Sequence, residues 1–158
     1  MPAIYLLCGK VGCGKSTYAH KLKKENNAVV LSCDTLMLTL FDDCIGPEKH
    51  KDFSDRCKKF LYAQAEDIIL LGHDVVLDFG FWSKQERTAV KEMFLQKGIE
   101  TKLVLINTSY EIITKQLEQR NKLIEEGKIR AYHIDEEKRN RFDGFFEEPS
   151  EDEIDIIV

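Results

Sequence analysis

The chain has 158 residues, a formal net charge of −5 at pH 7, and 43% hydrophobic and 32% charged residues. That length fits a single domain, residues 1–158, with its own core, and the acidic balance argues against general nucleic-acid binding. No apolar run approaches the ~20 residues a membrane helix needs, and the apolar start breaks at Gly9, which predicts no secretory leader. Ala3 to Cys8 reads as a short buried parallel strand. Ser16 to Lys24 follows as a helix, with Ala19 and Leu22 inward and lysines outward. Val29 to Ser32 is a second strand, and Asp34 can cap a helix reaching Phe41. Gly46 and Pro47 break that helix. Glu48 to Leu71 is helical, with Phe53, Cys57, Phe60, Leu61, Ala65, Ile68 and Ile69 at spacings of three and four, and Gly72 ends it.

Asp74 to Asp78 is a third strand. Ser83 and Glu86 have the spacing of a capping box for a helix that runs to Lys97 and closes at Gly98. Lys102 to Ile106 is a fourth strand, and Thr108 with Glu111 predicts a second capping box for a helix to about Glu126. Gly127 interrupts, Asp135 starts a short helix, and Ile154 to Val158 is a fifth, edge strand. Strands alternating with helices predict an α/β fold, a doubly wound parallel sheet with its ligand at the carboxyl ends of the strands. That geometry gathers Gly9 to Ser16, Asp34, Asp78 to Trp82 and Asn107 into one crevice.

Gly9 to Ser16 reads Gly-Lys-Val-Gly-Cys-Gly-Lys-Ser, a complete G-x-x-x-x-G-K-[ST] phosphate-binding loop between a strand and a helix. Small residues let the backbone curl so that several N–H groups meet one anion. Gly9, Val11, Gly12, Cys13, Gly14, Lys15, Ser16 and Thr17 are therefore the expected nucleotide-binding residues. Lys15 reaches the β- and γ-phosphates, and the Ser16 hydroxyl is a ligand for Mg²⁺. Asp78, ending the third strand, is the second expected Mg²⁺ contact, or a turn residue. Asp34 is either a general base for an acceptor hydroxyl or a helix N-cap, and one side chain can be both.

Phe79, Phe81 and Trp82 either wall an acceptor pocket or pack the core. Arg87, one turn into the following helix, reaches the acceptor or lies elsewhere on the surface. Arg120 and Arg130 flank a helix end and the Gly127 break, where they either close over phosphates or sit on a solvated helix. Residues 115 to 141 carry eight Lys or Arg, and residues 143 to 155 carry seven acids and no base. These are two solvated faces, or cations set over bound phosphates. The cysteines at 8, 13, 33, 44 and 57 contain no C-x-x-C pair, and their odd number predicts reduced thiols in a cytoplasmic protein. Cys13 is either a thiolate favoured by Lys15 and nearby N–H dipoles or a small residue that fits the loop. His20, His50, His73 and His133 show no metal-ligand spacing.

These residues together resemble the small P-loop kinases of the nucleoside-monophosphate-kinase-like group, and within it the AAA_33 family. That family is similar to polynucleotide 5′-kinases, zeta-toxin kinases and chloramphenicol phosphotransferase. The resemblance rests on Gly9 to Ser16, Ser32-Cys33-Asp34, Leu77 to Trp82 with Arg87, Arg120-Asn121, and Phe146-Glu147-Glu148-Pro149 to Glu153. It implies a three-layer P-loop NTPase fold with a five-stranded parallel sheet and a lid at about 120–140. It implies ATP and Mg²⁺ as cofactors, Asp34 as general base, and Asp78 aiding metal or acceptor. It implies Arg120 and Arg130 in the lid, one stacking on adenine, with the loop around Pro149 lining the adenine pocket. Ile124 stands four residues after Arg120, where polynucleotide kinases carry a second lid arginine, so Arg130 takes that role across a longer lid. The helix from 48 to 71 has no counterpart in this resemblance.

The expected activity is transfer of the γ-phosphate of Mg·ATP to a hydroxyl of a small molecule, a nucleotide or a nucleic-acid end. The alternatives are an NTP-hydrolysing ATPase or switch, and a nucleotide binder without catalysis. Asp78 is followed by Phe79 and not by the Glu of hydrolytic ATPases, and Asn121-Lys122 lacks the Asp of a guanine-specificity motif. Asp78-Phe79-Gly80 spells a protein-kinase triplet, but there is no H-R-D motif and the glycine loop is of a different type.

Overall fold

The computed structural model describes residues 1–42 and 45–158. Its elements run β1 (Ile4–Cys8), α1 (Lys15–Asn26), β2 (Val29–Ser32), α2 (Cys33–Leu40), α3 (Pro47–Leu70), β3 (Val75–Gly80), α4 (Lys84–Gln96), β4 (Thr101–Leu105), α5 (Tyr110–Glu125), α6 (Glu136–Phe145) and β5 (Ile156–Ile157). The five strands form one sheet in the order β2-β3-β1-β4-β5, and every neighbouring pair is parallel. The chain leaves β1 toward one edge and later crosses to the other, so β1 lies at the switch point where such sheets bind ligands.

The alternation of side chains along β1 divides the core. Tyr5 and Leu7 face a layer with Ala19 and Leu22 of α1 and Ile113 and Leu117 of α5. Ile4, Leu6 and Cys8 face a layer with Ala65 and Ile69 of α3 and Val90 and Phe94 of α4. Both faces are covered, which is why β1 reads as an unbroken apolar run. The three-layer architecture expected from the sequence is the one observed. Along α3 the inward stripe is Cys57, Leu61, Ala65 and Ile69. Phe60, expected inward, is 56% exposed; the stripe advances by four, and position 60 falls on its flank.

Three caps differ from expectation. The N-cap of α2 is Ser32, whose hydroxyl accepts from Thr35 N–H at 3.2 Å, so Asp34 lies in the first turn and is not the cap. The N-cap of α5 is Ser109 and not Thr108; Thr108 is drawn away by a hydrogen bond to the Cys13 carbonyl at 2.7 Å. Ser83 caps α4 as expected, but the Glu86 carboxylate receives Lys58 at 2.7 Å instead of completing the reciprocal box. Asp135 caps α6 through the Lys138 N–H at 2.8 Å, as the sequence indicates. The cysteines at 8, 13, 33 and 57 are free and buried; the expectation for Cys44 lies outside the described residues.

The segment between α6 and β5 is strapped across the ends of α4 and β3. Arg87, 1% exposed, forms an ion pair through Nε with Glu153 at 3.0 Å. Its Nη1 donates to the carbonyls of Phe81 at 3.0 Å, Trp82 at 3.2 Å and Glu147 at 2.9 Å. Its Nη2 has no partner among the described residues, so the clamp works through Nε and Nη1. Partial burial of Glu153 raises its pKa, but this is outweighed by hydrogen bonds from Arg87 and from the Ser150 N–H and hydroxyl, which bring it from 4.5 to about 2. The Glu153 side chain is 14% exposed, at the rim of the fold where water screens the pair.

A depressed carboxylate pKa contributes stability that is present above pH 4.5 and is lost as pH falls toward about 2. Glu153→Gln should therefore cost roughly 2 kcal/mol at pH 7 in urea unfolding. It should also flatten the decline in stability across that acid window. An unchanged acid limb in the variant would show that the pair contributes nothing.

Candidate functional site

The phosphate-binding loop leaves the carboxyl end of β1 and enters α1. Gly12 and Gly14 have φ of +79° and +100°, which L side chains rarely adopt. A Cβ at Gly12 would also lie 2.6 Å from Leu117 Cγ. Two ties from other elements hold the loop: Gly9 N–H donates to the Gly80 carbonyl at 3.1 Å, and Thr108 holds the Cys13 carbonyl. The first backbone bond at the start of α1 runs from Tyr18 N–H to the Gly14 carbonyl, and no side chain caps the helix. The N–H groups of Lys15, Ser16 and Thr17 thus lack a helical carbonyl partner, as at any helix N-terminus. Val11 is half-buried against the core layer that contains Ala19 and Leu117.

Lys15 Nζ is held over this loop. It donates to the carbonyls of Gly9 at 3.1 Å and Lys10 at 2.9 Å, with Cys13 Sγ at 3.7 Å. Ser16 Oγ donates to Asp78 Oδ2 at 2.9 Å, which joins the two expected Mg²⁺ contacts directly. A hydroxyl and a carboxylate oxygen are hard donors suited to Mg²⁺, which takes its remaining ligands from phosphates and water. Cys13 is 3% exposed, and burial raises its pKa against the opposing effect of Lys15. It fits the loop as a small buried residue, and the thiolate reading does not hold.

Asp34 projects from the first turn of α2, just past the point where Ser32 pairs in register with Asp78. Its side chain is open to the crevice. Protein crowding around the carboxyl, then the Asp78 carboxylate, push its pKa up; Lys15, Arg120 and His50 pull the other way and do not cancel the rise. Asp34 therefore lies within electrostatic range of Asp78, Lys15 and Arg120.

The segment expected as a lid is docked by several contacts. Arg120 Nη2 donates to the Tyr132 carbonyl at 3.2 Å, and its Nε is buried without a hydrogen-bond partner among the described residues. Arg130 Nη2 reaches the Phe41 carbonyl at 3.4 Å, joining the lid to the end of α2. The Tyr132 ring meets the His50 ring edge-on at 5.6 Å. Asn121 bonds both backbone groups of Ile134, at 2.7 and 3.0 Å.

Two of the expected acceptor contacts are corrected. Phe81 is 0% exposed, stacked on Phe79 with ring centroids 5.6 Å apart, and presents no side chain to the crevice. Arg87 is consumed by the strap described above. Trp82 turns toward the loop: its Nε1 donates to the Gly9 carbonyl at 3.0 Å, and its ring lies 5.3 Å from that of Phe142. Pro149 is buried. A cavity of about 110 Å³ opens on the other side of the loop, lined by Lys10, Thr108, Tyr110, Arg139, Phe146 and Glu148 among others, and not by Pro149.

Arg139 was not among the candidate site residues from sequence. It is 7% exposed, bonds Thr114 Oγ1 at 2.7 Å, and stacks on the Tyr110 ring at 3.9 Å. One cue was present: Arg139 is an arginine inside a predicted helix in a basic segment, but nothing local marked it as inward-facing. No set of three or more His, Cys, Asp or Glu among the described residues is arranged to hold a metal by itself. No helix among them is long and apolar enough to cross a membrane.

Solved structures, two of them of kinases, share this architecture. The APS kinase CysC of Mycobacterium tuberculosis, in complex with AMPPNP and APS, superposes with a TM-score of 0.69 at 17% identity, covering 99% of this chain and 87% of that one. Kti12 of Chaetomium thermophilum, in complex with ADP-AlF3, gives 0.71 at 15% identity, covering 98% and 88%. A gluconokinase from Sinorhizobium meliloti 1021 gives 0.65 at 14% identity, covering 99% and 82%. A search of curated proteins returns no match. The family model AAA_33, an AAA domain, matches residues 4–149. With that span matched, the chain belongs to the AAA_33 family and has the P-loop NTPase fold.

Proposed function

We propose that this protein is an ATP-dependent phosphotransferase that moves the γ-phosphate of Mg·ATP to a hydroxyl acceptor. The observation that carries the reading is the placement of an open carboxylate, Asp34, beside the Lys15, Ser16 and Asp78 cluster of a complete phosphate-binding loop. Hydrolytic ATPases place the Glu that activates water next to the metal-binding Asp, whereas here Phe79 follows Asp78 and the second carboxylate stands on α2, a place suited to a separate acceptor hydroxyl. The likeness to an APS kinase and a gluconokinase supports the reaction class, and because those two are named for different acceptors it leaves the acceptor's identity to experiment.

When bound, Mg·ATP would supply the transferable phosphoryl group and a divalent charge beside it. The free N–H groups at the start of α1 bind phosphate oxygens, and Lys15 adds a fixed positive charge. Ser16 and Asp78 would hold the metal or its waters. Asp34 Oδ accepts the proton of the acceptor hydroxyl, and its raised pKa makes it a better proton acceptor than an ordinary carboxylate. Arg120, at the docked lid, faces the charge that develops on the transferring group. Arg130 shares that work from the Phe41 side. The cavity lined by Tyr110, Arg139 and Phe146 receives the base. Four buried free thiols support a reducing compartment such as the cytoplasm.

A screen of ADP release over nucleosides, sugars, antibiotics and 5′-hydroxyl oligonucleotides tests the class. A transferase releases ADP only with its acceptor, and acceptor-independent release would favour the ATPase reading. Lys15→Ala should weaken Mg·ATP binding in calorimetry and abolish transfer with the fold retained; equal affinity in both proteins would remove the loop from the mechanism. Asp34→Asn should lower turnover by about 10²–10⁴. Because the folded-state pKa of Asp34 is raised, the ionised group opposes folding at neutral pH, so the variant should be no less stable than the parent. Turnover of the parent should fall in acid with a midpoint above the usual carboxylate value, and that limb should vanish in the variant. A variant that keeps full turnover would reduce Asp34 to a helix residue.

A further inference from the structure

The Gly9 carbonyl is shared between two donors from distant parts of the chain. Lys15 Nζ approaches it at 3.1 Å and Trp82 Nε1 at 3.0 Å. A carbonyl oxygen has two lone pairs, so both bonds can stand together. An ammonium has three N–H groups. Two of those on Lys15 point at the Gly9 and Lys10 carbonyls, and the third meets only Cys13 Sγ at 3.7 Å, a weak acceptor that a phosphate oxygen can displace. The direction of the Lys15 charge is thus set by where the Gly9 carbonyl points. The other side of the Gly9 residue is held as well, by its N–H on the Gly80 carbonyl at 3.1 Å.

The turn that delivers Trp82 is strained and clamped. Gly80 has φ +85° and Phe81, a buried non-glycine residue, has φ +47°. A side chain in that region costs about 1–3 kcal/mol and persists only where its surroundings over-determine it. Here Arg87 bonds the Phe81 and Trp82 carbonyls, Cys8 Sγ–H donates to the Phe81 carbonyl at 3.4 Å, and Glu147 N–H donates to the Trp82 carbonyl at 2.8 Å. Space at the turn is equally tight, since a Cβ at Gly80 would lie 2.9 Å from Trp82 Nε1. The rigid indole projects from this clamped backbone and brings its one N–H to the loop.

We propose that Trp82 is a positioning residue for the nucleotide's β- and γ-phosphates, holding the Gly9 carbonyl that aims Lys15. The inference rests on the nucleotide-binding reading above and extends it to a residue that touches no substrate. It also explains why an aromatic expected to wall an acceptor pocket turns inward to the loop. Packing alone would be served by any ring against Phe142; the N–H is needed only for the carbonyl.

Trp82→Phe keeps a ring and removes the N–H. In the free protein the Gly9 carbonyl still has Lys15, so the urea midpoint should barely move. Inhibition constants against a fluorescent ATP analogue then read affinity for Mg·ATP, Mg·ADP and AMP. Mg·ATP and Mg·ADP should bind about fivefold to tenfold more weakly to the variant, while AMP, with no β- or γ-phosphate for Lys15, should bind as before. Trp82 is the sole tryptophan, so its emission should shift on adding Mg·ATP to the parent and not on adding AMP. Equal weakening of all three nucleotides, a fall in the urea midpoint that accounts for the lost affinity, or unchanged Mg·ATP binding would each overturn the proposal. A parent protein that binds no nucleoside triphosphate would instead overturn the function proposed above.

Discussion

One buried guanidinium holds the functional end of this fold together. Arg87 is fully enclosed, and its partners come from Phe81 and Trp82 beside it and from Glu147 and Glu153 some sixty residues later. A buried charge is costly unless it is paired and hydrogen-bonded. Once Glu153 neutralises Arg87, its Nη1 finds the carbonyls of Phe81, Trp82 and Glu147. The strained Gly80–Phe81 turn, the strap before β5 and the aim of Trp82 all depend on that cation. Loss of one partner would leave an uncompensated charge inside the α3–α4 side of the core.

The crevice above it balances two carboxylates against cations. Asp78 is tied to Ser16, and Asp34 is left open. Crowding and Asp78 push protons onto Asp34, while Lys15, Arg120 and His50 oppose this. On the proposed function, these different surroundings separate a metal-holding role for Asp78 from a proton-accepting one for Asp34. Asn121, Arg120 and Arg130 engage backbone carbonyls and so fix the path of the segment from 120 to 134 without demanding particular side chains from it.

Much of this was legible along the chain because the cues are local. The phosphate-binding loop is eight consecutive residues whose glycines answer a backbone need. The strands are apolar runs because both faces of a parallel sheet are buried. Asp34 and Asp78 stand at strand ends, and a doubly wound topology brings strand ends together. The errors were of two local kinds. Asp34 and Thr108 are good capping residues, but a serine one or two positions away took each helix, and Thr108 was needed by the loop. Phe60 matched a three-four spacing and still missed a stripe that advances by four.

The sequence by itself determined the fold class, the loop, and the two carboxylates at the strand ends. Each follows from periodicity, or from residue types at short fixed spacing. Only the tertiary structure decided what Phe81, Trp82, Arg87, Arg139 and Pro149 do. An aromatic or an arginine at a crevice mouth has the same local signature whether it faces a ligand or the core. Its fate is set by which carbonyls and carboxylates lack partners nearby, and those come from β1, the C-terminal strap and α5. Arg87 turns inward because Glu153 waits there, 66 positions along the chain, and spacing rules that reach one or two helical turns carry no information over such a separation.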